Sequence, residues 1–88
     1  MKYIKELIYN YQRKREIKKI VIFLDNIKKS TRIVNYKITD TYFHLYIGGY
    51  TRNMYDIKYY TLDGIIEDVC YYLIDRRISI KKEFFKGI

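Results

Sequence analysis

Two alternating runs around one turn fix the centre of this chain. Val34, Tyr36 and Ile38 alternate with Asn35, Lys37 and Thr39; Phe43, Leu45 and Ile47 alternate with Tyr42, His44 and Tyr46. A period of two marks strands with one buried face. A tight turn at Asp40-Thr41 pairs Ile38 with Phe43, Tyr36 with Leu45 and Val34 with Ile47, which stacks one apolar face. Tyr55, Ile57 and Tyr59 offer a third apolar set. A three-residue loop, Thr51-Arg52-Asn53, brings that set in line with Leu45 and Ile47, and Asn53 tolerates the left-handed backbone such a loop needs. Gly48 and Gly49 then lie inside a strand, where they permit a bulge or sharp twist.

Helices flank this meander. Ile4, Leu7, Ile8 and Tyr11 recur at three-and-four spacing, which predicts an amphipathic helix over about 2–15 that ends in Arg13, Lys14 and Arg15. Residues 17–24 read two ways. Ile17, Ile20, Val21, Leu24 and Ile27 make a helical stripe, but that helix sets Ile22 amid the Lys18/Lys19/Lys29 face. The run Ile20-Val21-Ile22-Phe23-Leu24 is β-branched and aromatic, and Asp25-Asn26 is turn-like, so a buried strand is preferred. A second helix is capped by Thr61 or Asp63, with Leu62, Ile65, Ile66, Val69 and Leu73 as its buried stripe. Ile78 and Ile80 suit an edge strand, and Phe84 and Phe85 are expected to dock.

The expected architecture is therefore α+β: a small two-layer sandwich in the order α-β-β-β-β-α. Its antiparallel sheet has three to four strands, with the N-terminal and C-terminal helices packed on one face. The rival reading makes 16–29 helical and the first 29 residues a helix-turn-helix; Ile22 and Phe23 on the DNA side and a turn without glycine argue against it. Eighty-eight residues form a single domain, 1–88, with no candidate linker. The longest apolar run, Val69 to Ile74, is too short for a signal-peptide core or a membrane span, so a cytoplasmic protein is expected.

Charge is lopsided. Up to Thr39 there are eleven Lys/Arg against three Asp/Glu, a net +8, and from Asp40 onward seven of each. Such a field favours a polyanionic partner, nucleic acid (DNA or RNA) first. Arg13, Lys14, Arg15, Lys18, Lys19, Lys28, Lys29 and Arg32 are the candidate phosphate contacts. Codon bias explains part of the composition, since sixteen Ile, twelve Tyr and many Lys share AT-rich codons; a solvated basic face is the plain alternative. On the sheet face opposite the core, Lys37, Tyr42, His44, Tyr46, Tyr50, Lys58 and Tyr60 are candidates for stacking bases or meeting a protein.

Enzyme classes find little footing. His44 and Cys70 are the only residues of their kinds, too few for a zinc site, and the second helix sets Cys70 away from His44. Cys70 reads as a small buried hydrophobe and forms no internal disulfide. No phosphate-cradling glycine loop is present. No enzyme activity, cofactor or metal is expected. The first expectation is a small basic module that binds nucleic acid or a nucleoprotein. The alternative is an inhibitor or adaptor of the phage or mobile-element kind, anti-CRISPR-like. It would bind an acidic or nucleic-acid-binding host enzyme through the Tyr-rich sheet face. Homodimerisation is compatible with both.

Overall fold

The computed structural model describes residues 2–32, 34–39, 41–47, 51–56 and 60–88. Helix α1 spans Lys2–Ser30, strands β1, β2 and β3 span Val34–Ile38, Tyr42–Ile47 and Thr51–Asp56, and helix α2 spans Leu62–Asp75. A 3-10 turn follows at Lys82–Phe85. The strands form one antiparallel sheet in the order β1-β2-β3.

The strand expected over 20–24 is helix, so the β-β-β-β order is corrected to three strands after one long helix. No proline or glycine interrupts residues 2–30. A helix already nucleated upstream extends at little cost, whereas β-branched residues lose at most ~0.7 kcal/mol each in helical form. Ile20, Phe23, Leu24 and Ile27, spaced i, i+3, i+4, i+7, are buried on one side, at about 1.5–3 kcal/mol per side chain. Packing overrides propensity. The turn expected at Asp25-Asn26 is also helix, and both side chains serve as ties. Asp25 accepts a hydrogen bond from the Tyr36 hydroxyl at 2.8 Å. Asn26 Nδ2 donates to the carbonyls of Phe84, at 3.2 Å, and Lys86, at 2.9 Å.

The β1–β2 register is the one the alternation demands: Val34 opposite Ile47, Tyr36 opposite Leu45, Ile38 opposite Phe43. Thr39 closes the hairpin, its Oγ1 accepting from the Tyr42 amide at 3.0 Å; Asp40 lies outside the described residues. The loop expected at Thr51-Arg52-Asn53 is corrected: these residues open β3, with Thr51 opposite Ile47 and Asn53 opposite Leu45. Tyr55 pairs with Phe43. Gly48, Gly49, Ile57 and Tyr59 lie outside the described residues.

Thr61 caps α2, its side chain accepting from the Gly64 amide at 3.1 Å. Past the C-cap at Arg76, Arg77 turns the chain with a left-handed φ of 60°, and Ile78 N–H bonds back to Leu73 O at 2.8 Å. That is a Schellman closure made without its usual glycine. Residues 78–80, which suit an edge strand, are not in one. The chain instead carries Phe84 into full burial and sets Phe85 5.5 Å from Phe23, centroid to centroid. The core joins Ile20, Phe23, Leu24 and Ile27 of α1, Val34 of β1 and Phe43 and Leu45 of β2. Ile65, Val69 and Leu73 of α2 and Phe84 complete it.

Candidate binding face of the first helix

At about 100° per residue, the phase along α1 reverses. Ile20, Phe23, Leu24 and Ile27 point into the core. Ile4, Leu7, Ile8 and Tyr11 point about 160° away from them, and they are 51%, 51%, 52% and 67% exposed. The stripe expected to cover the sheet is therefore exposed instead. Lys14, Arg15, Lys18 and Lys19 continue that outward line, so one side of the helix is apolar at its tip and cationic along its middle.

The cations line an open groove of about 630 Å³ with Tyr11, Ile22 and Gly87. Among the described residues, no acidic side chain lines it. Gly87 closes one side with φ at +86°, and a Cβ there would stand 3.5 Å from Ile22 Cγ2. Arg15 and Lys19 also border a second groove, of about 380 Å³, shared with Gln12, Glu16 and Leu62.

Arg13 does not belong to this face. Two residues on from Tyr11, about 200° of rotation, it points inward and lines a small cavity with Ile17, Ile20, Phe43, Tyr60 and Ile65. Its Nη2 donates to the Tyr60 carbonyl at 2.6 Å, and its Nη1 pairs with Glu16 Oε2 at 3.1 Å. Glu16 Oε1 in turn accepts from the Leu62 amide at 2.7 Å, an otherwise unsatisfied donor at the start of α2. Arg13 is thus a tie between α1 and the entry to α2. Lys14, Arg15 and Lys18 are exposed, and Lys19 is half-buried. Lys28 and Lys29 are exposed in the last turn, where cations favour the negative end of the helix dipole. Lys28 Nζ lies 5.4 Å from the centroid of the Tyr36 ring. Arg32 is exposed just beyond the helix.

The other candidate surface is thinner than expected. Lys37 and Tyr42 are exposed and Tyr46 is half-buried. His44 is only 9% exposed, so it is a packed residue between the register positions of Lys37 and Met54 and presents little to a partner. Tyr60 is corrected too: with β3 ending at Asp56, it falls in the connection to α2, packs on the core, and donates its hydroxyl to Asp68 at 2.7 Å. Tyr50 and Lys58 lie outside the described residues.

Two ionisable groups are displaced from their ordinary range. Burial, with Asp25 accepting from the hydroxyl and repelling a phenolate, pushes Tyr36 up to about 12. Burial also pushes the Cys70 thiol up, which keeps it protonated and unreactive at neutral pH. Among the described residues, no group of three or more His, Cys, Asp or Glu could hold a metal ion, and no helix is long and apolar enough to cross a membrane. No family model matches the chain, and neither a curated protein nor a solved structure matches it.

The outward face of α1 was only half legible in the sequence. Its cations stand out as a run. Tyr11, Ile4, Leu7 and Ile8 carry the spacing of a buried stripe, and only their phase relative to Ile20–Ile27 reveals that they face out.

Proposed function

We propose that this protein is a non-enzymatic module that binds polyanions, nucleic acid foremost, with the outward face of α1. One observation carries the reading: Lys14, Arg15, Lys18 and Lys19 converge on a single groove that, among the described residues, no carboxylate side chain lines. Phosphates bound there release condensed counterions, a gain that needs no sequence readout. A two-layer layout, both helices on one side of the sheet, belongs to this reading; it seats α1 on a rigid base while leaving its far side open. A cytoplasmic setting fits a module of this kind.

Titration against labelled DNA and RNA at several salt concentrations tests it. Binding should weaken steeply with salt. The variant K14A/R15A/K18A/K19A should lower the slope of log K against log salt by up to ~3–4, at about 0.7–0.9 per phosphate contact. Unchanged affinity in a folded variant refutes the proposal.

The second reading, an inhibitor of the mobile-element kind docking through the sheet, is favoured by Tyr42 and Met54, exposed at 41% and 52%. Aromatic and Met side chains suit protein contacts. Tyr42→Ala should then abolish capture of a nucleic-acid enzyme while leaving DNA and RNA titrations unaltered.

A further inference from the structure

The tip and the middle of α1 face the same way, so whatever covers the cations also meets Ile4, Leu7, Ile8 and Tyr11. We infer that the ligand is a single-stranded nucleic acid, whose phosphates take the cations and whose unstacked bases take the apolar tip. The inference rests on the polyanion reading above.

Tyr11 joins the two halves. It is the most exposed of the tip residues, at 67%, and it lines the groove together with all four cations. A ring beside a cationic track is the arrangement on which bases stack while the backbone is held electrostatically. A duplex hides its base faces in its own stack. It offers phosphates and groove edges, and edges are read by hydrogen-bonding side chains such as Arg, Asn and Gln. Ile4, Leu7 and Ile8 have no such groups, so a duplex leaves the stripe unsatisfied. An anionic bilayer fits less well. Lys14 and Lys18 share the bearing of Leu7 and Tyr11, so a helix lying flat drives ammonium groups to the depth of the apolar stripe. From Ile4 to Ile22 the face runs about 27 Å, room for a strand of several nucleotides.

The test is fluorescence anisotropy of the whole chain with a labelled oligothymidylate of ~12 nucleotides, a duplex of equal length, and vesicles of phosphatidylserine in phosphatidylcholine, at ~150 mM salt. The single strand should bind at least about tenfold tighter than the duplex. Tyr11→Ala should cost the single strand about tenfold and the duplex less than twofold. Tyr11→Phe should restore binding, and Tyr71→Ala, equally exposed on α2, should change nothing. Circular dichroism checks that each variant keeps its helix. Equal affinity for both strand states with a silent Tyr11→Ala overturns this inference and leaves the polyanion reading standing. Loss of all nucleic-acid binding, with or without vesicle binding, overturns both.

Discussion

Single residues of α1 hold the molecule together by reaching in three directions. Arg13 and Glu16 reach the start of α2, Asp25 reaches β1, and Asn26 reaches the C-terminal turn. Glu16→Ala leaves the Leu62 amide and the Arg13 guanidinium short of a partner, and should cost about 1.5–3 kcal/mol of stability by urea denaturation. The same change should not weaken nucleic-acid binding, because Glu16 does not line the groove on which Lys14, Arg15, Lys18 and Lys19 converge and its loss removes a negative charge beside Arg15 and Lys19. Tyr36 gives a pH signature. Its hydroxyl holds its proton to about 12 in the fold, against an ordinary 10 in the unfolded chain. Its contribution is therefore complete below pH 10 and is lost as pH rises toward 12, because there the unfolded chain releases a proton that the fold retains. The urea midpoint of the native protein should fall toward that of Tyr36→Phe across this window. A gap that stays constant with pH disproves the assignment. Arg77 holds a left-handed φ that glycine adopts freely. Arg77→Gly should raise stability by up to ~1 kcal/mol, measured the same way.

Among elements, α1 decides the architecture, and it is where sequence reading and structure part company. The β1–β2 hairpin was legible because a period of two admits one register, and a slip by one residue would turn every apolar side chain outward. The α2 cap was legible as far as Thr61 or Asp63, and the bond from the Gly64 amide to the Thr61 side chain decides between them. The stretch 17–24 was not, since its residue types favour a strand and only the burial of Ile20, Phe23, Leu24 and Ile27 decides for helix. Loop placement at Thr51-Arg52-Asn53 failed for a related reason: any odd loop length preserves the face, so face alternation alone could not position it. The seated and unseated halves of α1 should differ in protection. Amide hydrogen exchange should be slow from Ile20 to Ile27, where side chains are buried, and fast from Ile4 to Tyr11, where none is. Uniform protection along α1 would show that the tip is covered in solution. The C-terminal turn is similarly consequential, because Phe84 is buried to 1% exposure. Phe84→Ala should destabilise by about 3–5 kcal/mol in a thermal or urea melt.

For the whole molecule, charge and shape run together. The body measures 49 × 26 × 18 Å, and α1, about 43 Å long, spans most of the long dimension. The surplus of positive charge belongs to the half of the chain that begins with this helix. A polyanion approaching from a distance meets an oriented field rather than a uniform one, so association should be fast at low salt and slow markedly as salt screens it. Stopped-flow association rates that do not respond to salt would remove steering from the picture.

The half-turn between the two stripes of α1 gives chain length an angular meaning. One residue inserted beside Gln12 leaves Arg13 and everything after it in place, yet swings the tip by about 100°. Two insertions bring Ile4, Leu7, Ile8 and Tyr11 round to the side of the body, out of line with Lys14 and Lys18. Seven restore the bearing and carry the tip about 10 Å farther out. The molecule is thus keyed like a bit on a shaft: residues may be exchanged freely at Gln12, but their number there sets the direction in which it reaches.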